Sequence, residues 1–107
     1  MDQDLHSDEK IIDVLSLRTV AVIGMSKHSS KAAHYVPKYL IDHGYDITPV
    51  NPTADKILDI LCYDSVSEIN GPIDIIDVFR PSDQIASIIH DCIKTRPKVI
   101  WLHEGIH

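Results

Sequence analysis

The chain has 107 residues, of which 44% are hydrophobic and 24% are charged, and its formal net charge is −6. This length and composition indicate one water-soluble globular domain over residues 1–107, with 1–6 as a loose tail. The negative charge argues against a nucleic-acid partner, and the shortness of the apolar runs argues against a membrane span.

The amino terminus and the two cysteines favour a cytoplasmic location. The acidic start MDQDLHSDE lacks the basic and apolar regions of a secretory signal. Cys62 and Cys92 form neither a C-x-x-C pair nor a disulfide framework. We therefore expect both to be buried free thiols.

The first half of the chain predicts a helix, a strand and a second helix. Ser7 is a good N-cap, and apolar residues at helical spacing predict a short helix that ends near Leu17. A β-branched run predicts the first strand over Thr19–Gly24. The next helix is expected over Ala33–His43, although Pro37 then requires either a late helix start or a kink.

Three further strands are predicted after that helix. Tyr45–Val50 is the second strand, and its internal Pro49 predicts irregular pairing there. A short third strand is expected near Leu61–Tyr63, and a strongly apolar one covers Ile73–Phe79.

The clearest helix of the chain begins at Ser82, as its N-cap, and stops before Pro97. Its apolar residues recur at the spacing of one helical face: Ile85, Ile88, Ile89, Cys92 and Ile93. The last strand is predicted over Val99–Leu102.

This alternation of strands and helices predicts an α/β fold with right-handed crossovers. We expect a Rossmann-like, doubly wound, mainly parallel five-stranded sheet between two helical layers. The expected strand order is 3-2-1-4-5, with the Leu61–Tyr63 strand as the third. A ligand crevice would lie at the carboxyl ends of the strands, where the order reverses.

The loop from Gly24 to Lys31 is the best candidate for a phosphate site. It joins a buried strand to the start of a helix, where free backbone N–H groups attract anions. Ser26, Ser29 and Ser30 would add hydroxyl donors, and Lys27 and Lys31 would add positive charge. The full G-x-G-x-x-G fingerprint is absent, however, and a lone glycine there can serve the turn alone.

Two residues at other strand ends bear on the ligand. Asn51 stands where an NAD site usually has a carboxylate, which disfavours NAD and suits a ribose that carries phosphate. Arg80 follows a buried strand, where its guanidinium can hold phosphate in a two-pronged contact. The alternative for Arg80 is a surface ion pair with Asp83.

Six stretches of the sequence resemble a known family. The chain is similar to small, single-domain coenzyme A-binding proteins, which are related to the coenzyme A-binding domain of the succinyl-CoA synthetase α subunit. The resemblance extends from residue 18 onward, and its main stretches are VAVIGMS at 20–26, HGYDITPVNP at 43–52, IDIIDVFRPSD at 73–83 and KVIWLHEGI at 98–106.

This resemblance implies that coenzyme A or an acyl-CoA lies across the strand ends. The contacts it implies, together with the loop residues above, are Gly24, Met25, Ser26, Lys27, Ser30, Lys31, Asn51, Pro52, Phe79, Arg80 and His103. Family members usually have glutamine at the position of His103, and they continue for another helix and strand. Without those elements, Val99–Leu102 would be an exposed sheet edge, which more chain, a second copy or another partner would cover.

The residues His103 to His107 also match H-E-x-x-H, a zinc peptidase motif. That motif requires a helix and a third ligand, whereas here it follows a strand and contains a glycine, so we assign no metal. No nucleophile has a companion base nearby in sequence. We therefore favour a binding module over an enzyme, with an NAD(P)-binding sensor and an enzyme acting on a CoA thioester as the alternatives.

Overall fold

The computed structural model of the chain describes residues 17–103. The loose tail, the helix predicted from Ser7 and most of the H-E-x-x-H motif lie outside this range. In chain order the elements are β1 (Thr19–Ile23), α1 (Ala32–Asp42), β2 (Asp46–Val50), β3 (Lys56–Ile57), β4 (Ile60–Leu61), β5 (Ile75–Val78), α2 (Ile85–Lys94) and β6 (Val99–Leu102). Among the described helices, none is long and apolar enough to cross a membrane.

A parallel sheet in the order β2-β1-β5-β6 forms the centre of the described structure. This confirms the predicted α/β, Rossmann-like class and the relative order of the four strong strands. The short third strand is corrected: Ile60–Leu61 pairs in an antiparallel hairpin with Lys56–Ile57. Only Tyr63 bridges to Val50 at the sheet edge, so the described sheet has four strands instead of five.

The sheet separates two apolar cores, as a three-layer fold requires. Side chains alternate along a strand, so Val20 and Val22 of β1 face the core that α1 covers. Ala21 and Ile23 face the opposite core, which α2 covers. Cys92 of α2 is completely buried there, and burial raises the pKa of its thiol to about 11.

Pro49 does not disturb the pairing of β2 with β1, contrary to the irregularity expected. The two strands stay in register, with Pro49 opposite Val22. The carbonyl of Pro49 points to the outer side of β2, where it accepts the N–H of Tyr63 at 3.0 Å. The N–H that proline lacks would point to that same outer side, so no bond to β1 is lost.

The predicted α2 boundaries and inner face need two corrections. A 3-10 turn covers Ser82–Gln84 and the α-helix starts at Ile85, so Ser82 lies inside the turn and is not the N-cap. Ile93 belongs to the apolar stripe by spacing, but it is 61% exposed. The stripe is therefore narrower than its periodicity indicates, with Ile85, Ile88 and Cys92 against the sheet.

Gly24 is the point where three strands meet. The Gly24 N–H donates to the carbonyl of Val50 at 2.9 Å, and the Phe79 N–H donates to the carbonyl of Ile23 at 2.8 Å. Its φ is +83°, and a Cβ placed there would lie 2.4 Å from the Phe79 carbonyl oxygen. Glycine is therefore needed both for the turn and for the close approach of β1 to β5.

We predict that Gly24→Ala destabilises the protein more than Gly44→Ala does. Gly44 has a φ of +90°, and no described atom lies within 4 Å of the place that a Cβ would take, so alanine there incurs only backbone strain of about 1–2 kcal/mol. At Gly24 the clash with Phe79 should add roughly 1–3 kcal/mol. Urea denaturation gives both free energies of unfolding, and equal losses at the two positions would contradict the close approach.

Candidate functional site

A cleft of about 300 Å³ opens at the carboxyl ends of β1, β2 and β5. Its walls contain eight of the residues that the sequence indicated: Gly24, Met25, Ser26, Lys27, Lys31, Asn51, Phe79 and Arg80. Lys27, Lys31 and Arg80 converge here, and none of the described residues in the walls is an aspartate or glutamate. The chemistry of the cleft therefore suits an anion, and we call it the basic cleft.

The other three contacts that the resemblance implies lie outside the walls of the basic cleft. Pro52 lines an adjoining cleft of about 310 Å³. Ser30 is an exposed loop residue, and His103 stacks on Phe79 with ring centroids 4.1 Å apart. His28 and Thr53 line the basic cleft but were not indicated; position in a loop was the only signal for them.

Pro37 explains how α1 holds the loop from Gly24 to Lys31, the candidate phosphate site. It lies inside α1, which begins at Ala32, so the late helix start is wrong. Proline has no N–H, so the carbonyl of Ala33 four residues earlier lacks its helical partner. That carbonyl accepts the Ser26 N–H at 3.0 Å instead. The residue that seemed awkward for the helix therefore ties the loop to it.

His34 binds the carbonyl group of Ser26, the same loop residue whose N–H donates to Ala33. His34 is buried, with 8% of its surface exposed, and its Nδ1 lies 2.7 Å from the Ser26 carbonyl oxygen. Since a carbonyl only accepts, Nδ1 carries the proton. Ser26 Oγ accepts the His28 N–H at 3.0 Å, which leaves its own hydroxyl hydrogen for another acceptor.

Asn51 connects the second strand end to the first. Its Nδ2 donates to the Met25 carbonyl at 2.9 Å. Its Oδ1 accepts the N–H and the hydroxyl of Thr53, at 2.9 and 2.7 Å. The Asn51 side-chain amide thus holds together the two loops that face each other across the basic cleft. The sequence showed only that Asn51 is not a carboxylate, and it did not predict this structural role.

Arg80 is held by a neutral neighbour. Its Nε and Nη2 donate to Gln84 Oε1 at 3.0 and 2.7 Å. The alternative, a surface ion pair between Arg80 and Asp83, is therefore wrong. No ion pair within residues 17–103 joins these two side chains. Because glutamine leaves the guanidinium charge unneutralised, Arg80 can still attract an anion in the basic cleft.

The sequence analysis did not identify a buried acid in β5 that contacts one of the predicted site residues. Asp77 in β5 is 1% exposed, and its Oδ1 contacts His103 Nε2. Burial raises the pKa of Asp77, and the neighbouring His103 opposes that rise. An acidic residue inside an apolar run was the available signal, but its partner is distant in sequence.

Nothing in the described part of the chain supports a metal centre. Residues 17–103 contain no group of three or more histidine, cysteine, aspartate or glutamate side chains that could hold an ion. His103 is the one residue of the H-E-x-x-H motif inside that range, and it faces Asp77. Both cysteines are free; Cys92 is buried as expected, and Cys62 is only partly buried.

Comparison with protein families and solved structures gives a consistent result. Residues 18–107 match the profile of a family described as CoA binding domain. Over 91% of its length the chain is similar to a protein from Pyrococcus horikoshii OT3, with 33% identity, a TM-score of 0.82 and 72% of that chain covered. A Thermus thermophilus protein matches the whole chain with 34% identity, a TM-score of 0.82 and 78% of its own length covered.

Two similar proteins of known name are longer. The chain is 39% identical to YneT of Bacillus subtilis over 83% of its length, which is 66% of that protein. It is 34% identical over 72% of its length to the ADP-forming acetate–CoA ligase of Methanocaldococcus jannaschii. That match covers only 11% of the ligase, so the similarity reaches one part of a much larger enzyme.

We predict that Asp77→Asn removes a pH dependence of stability. The raised pKa means that the folded state binds the Asp77 proton more tightly than the unfolded chain does. The stability from this group is therefore complete below the ordinary value of 3.8 and is lost as the pH rises through the raised value. As the pH rises over that range, the free energy of unfolding of the wild type should fall relative to that of Asp77→Asn.

Denaturation midpoints measured from pH 4 upward would test this expectation. The exposed Asp46→Asn variant is the matched control, since it removes the same charge without touching a buried pair. Parallel stability curves for the wild type and Asp77→Asn would contradict the assignment.

Proposed function

This chain belongs to the CoA binding domain family, and we propose that it binds coenzyme A or an acyl-CoA at the carboxyl ends of its parallel strands. In this proposal it is a non-catalytic binding or regulatory module. The nucleotide half of the ligand lies at the loop from Gly24 to Lys31, and the phosphates face the basic cleft.

The observation that carries the proposal is the charge of the basic cleft. Lys27, Lys31 and Arg80 line it, and its described walls hold no opposing carboxylate. The loop between β1 and α1 brings backbone N–H groups to the same place. An NAD site usually has a carboxylate after the second strand to bind the ribose hydroxyls. Here Asn51 holds backbone and Thr53 instead, an arrangement that tolerates a phosphorylated ribose.

Rigid support of the cleft favours binding over a reaction that needs loop movement. The N–H and the carbonyl of Ser26 are both bound by α1, and the Asn51 side chain fixes the facing loop. A site already held in shape loses little conformational freedom when a ligand arrives. The part-length match to an acetate–CoA ligase fits the same role, that of a ligand-holding unit.

Calorimetry against coenzyme A, NAD and NADPH separates the proposal from its alternatives. We expect coenzyme A to bind most tightly, since its phosphorylated ribose and pyrophosphate match the three cations of the basic cleft. A preference for NAD or NADPH would overturn the proposal. Turnover of an acyl-CoA by the purified protein would instead assign an enzyme acting on the thioester.

Arg80→Ala should weaken coenzyme A binding by about 1.5–3 kcal/mol, the range for hydrogen bonds to charged groups. Arg80→Lys should recover part of this loss, because an ammonium cannot make the two-pronged contact. The melting temperature of the free protein should hardly change, since the bonds from Arg80 go to the exposed Gln84 side chain. Calorimetry and thermal melts check both statements.

Gln84→Ala is the control, because it removes the holding partner and keeps the guanidinium. Its affinity for coenzyme A should not fall. Comparison with dephospho-coenzyme A assigns the phosphate: an equal loss for both ligands in Arg80→Ala would put Arg80 at the pyrophosphate. Unchanged affinity with a lower melting temperature would make Arg80 purely structural.

A further inference from the structure

The outer face of α1 carries a row of aromatic side chains that the proposed site does not use. Tyr35, Tyr39 and His43 follow one another at intervals of four residues, which places them in one row along a helix. Tyr35 is 54% and Tyr39 is 61% exposed, and His43, at the end of the helix, is exposed as well. We call this row the aromatic ridge. Single apolar residues are ordinary on a surface, whereas a continuous row of rings is typical of a contact surface.

The aromatic ridge is held in one conformation at its centre. The rings of Tyr39 and His43 are stacked, with centroids 4.0 Å apart and an angle of 28° between their planes. His43 Nδ1 lies 2.8 Å from the carbonyl oxygen of Tyr39. Since a carbonyl only accepts, this nitrogen carries the proton, and the hydrogen bond fixes the imidazole. A surface whose side chains are already ordered loses little rotamer freedom when another molecule covers it.

Two opposite charges lie beside the aromatic ridge. Lys38 and Asp42 belong to the neighbouring row of α1, and Lys38 Nζ lies 3.3 Å from Asp42 Oδ2. Both side chains are more than half exposed. The chain as a whole carries a net charge of −6, which opposes self-association. This row has one charge of each sign, so a second copy of the chain meets no excess of negative charge here.

We propose that the aromatic ridge is a contact between two copies of this chain, whose α1 helices lie antiparallel about a two-fold axis beside Tyr39. A two-fold contact requires a surface that complements itself. The aromatic ridge does so, because a ring lies four residues before Tyr39 and another lies four residues after it. Tyr39 then packs on Tyr39 of the other copy, and Tyr35 packs on His43 of the other copy.

The charged row favours the same arrangement. When two helices lie antiparallel about a two-fold axis, the rows on the same side of the contact meet in reversed order, and charges there set the orientation. Lys38 of each copy therefore faces Asp42 of the other copy. In a parallel pair the charged row would face the row on the other side of the ridge, which contains Val36 and Leu40. The charges would then be unmatched.

This contact is small and leaves the basic cleft open. α1 has 11 residues and is about 16 Å long, so its outer face gives a weak, concentration-dependent pair with less buried area than a standard interface. Lys31, the N-cap of α1, lies in the wall of the basic cleft. Antiparallel helices place the two basic clefts at opposite ends of the pair. Self-association at this surface therefore does not depend on the proposed function.

Sedimentation velocity over a range of concentrations tests the contact. The wild type should change from monomer to dimer as its concentration rises. Tyr39→Ala should weaken the dimer about a hundredfold, because it removes the ring at the axis from both copies. Ile93→Ala is the matched control, since Ile93 is also 61% exposed but belongs to α2, on the other side of the sheet. This variant should dimerise as the wild type does.

Reversal of the charges tests the antiparallel arrangement. Lys38→Asp gives each copy two acidic residues in the row, and Asp42→Lys gives each copy two basic ones. Each variant alone should therefore associate about tenfold more weakly than the wild type. A mixture of the two variants should form a mixed dimer, because an acidic row then faces a basic row.

A wild type that stays monomeric at every concentration would overturn the inference, and so would a dimer that persists in Tyr39→Ala. Loss of the dimer in Ile93→Ala would place the contact on α2 instead. Absence of a mixed dimer would overturn the antiparallel arrangement. Thermal melts verify that each variant is folded. If the wild type dimerises but calorimetry shows no binding of coenzyme A, the proposed function falls and this contact stands.

Discussion

The absence of a side chain at Gly24 is the constraint on which the rest of the site depends. The Phe79 carbonyl oxygen lies 2.4 Å from the place that a Cβ would take, so only glycine lets the ends of β1 and β5 come this close. This proximity brings Arg80 to the loop after β1, and both line the basic cleft. One missing methyl group thus sets the spacing of the clefts and of the charges within them.

Hydrogen bonds that involve the neighbourhood of Pro37 and the side chain of Asn51 also hold the site together. Each depends on a chemical group that the residue does not have. Pro37 cannot donate to Ala33, so Ser26 does. Asn51 has no carboxylate to offer a ribose, so its amide joins the two facing loops. Considered within α1 alone, Pro37 only removes a helical hydrogen bond. Considered at the end of β2 alone, Asn51 only lacks a carboxylate. In the folded chain each makes a link between elements.

Local patterns in the sequence were sufficient for the strong strands, both described helices and the position of most cleft residues. They failed where a distant part of the chain decides the outcome. Pro49 is harmless because its carbonyl faces the outer side of β2, and Ile93 is exposed because its face of α2 turns away from the sheet. Asp77 has a partner 26 residues later, which no periodicity links to it.

The pair formed by Asp77 and His103 has a consequence for how the sheet opens. Among the described strands β6 is at the edge, and edge strands detach most easily from a sheet. When β6 separates, His103 leaves with it, and the buried carboxyl group of Asp77 remains in an apolar strand without its contact partner. That cost links fraying of the last strand to the centre of the domain, so amide exchange in β6 reports on β5 as well.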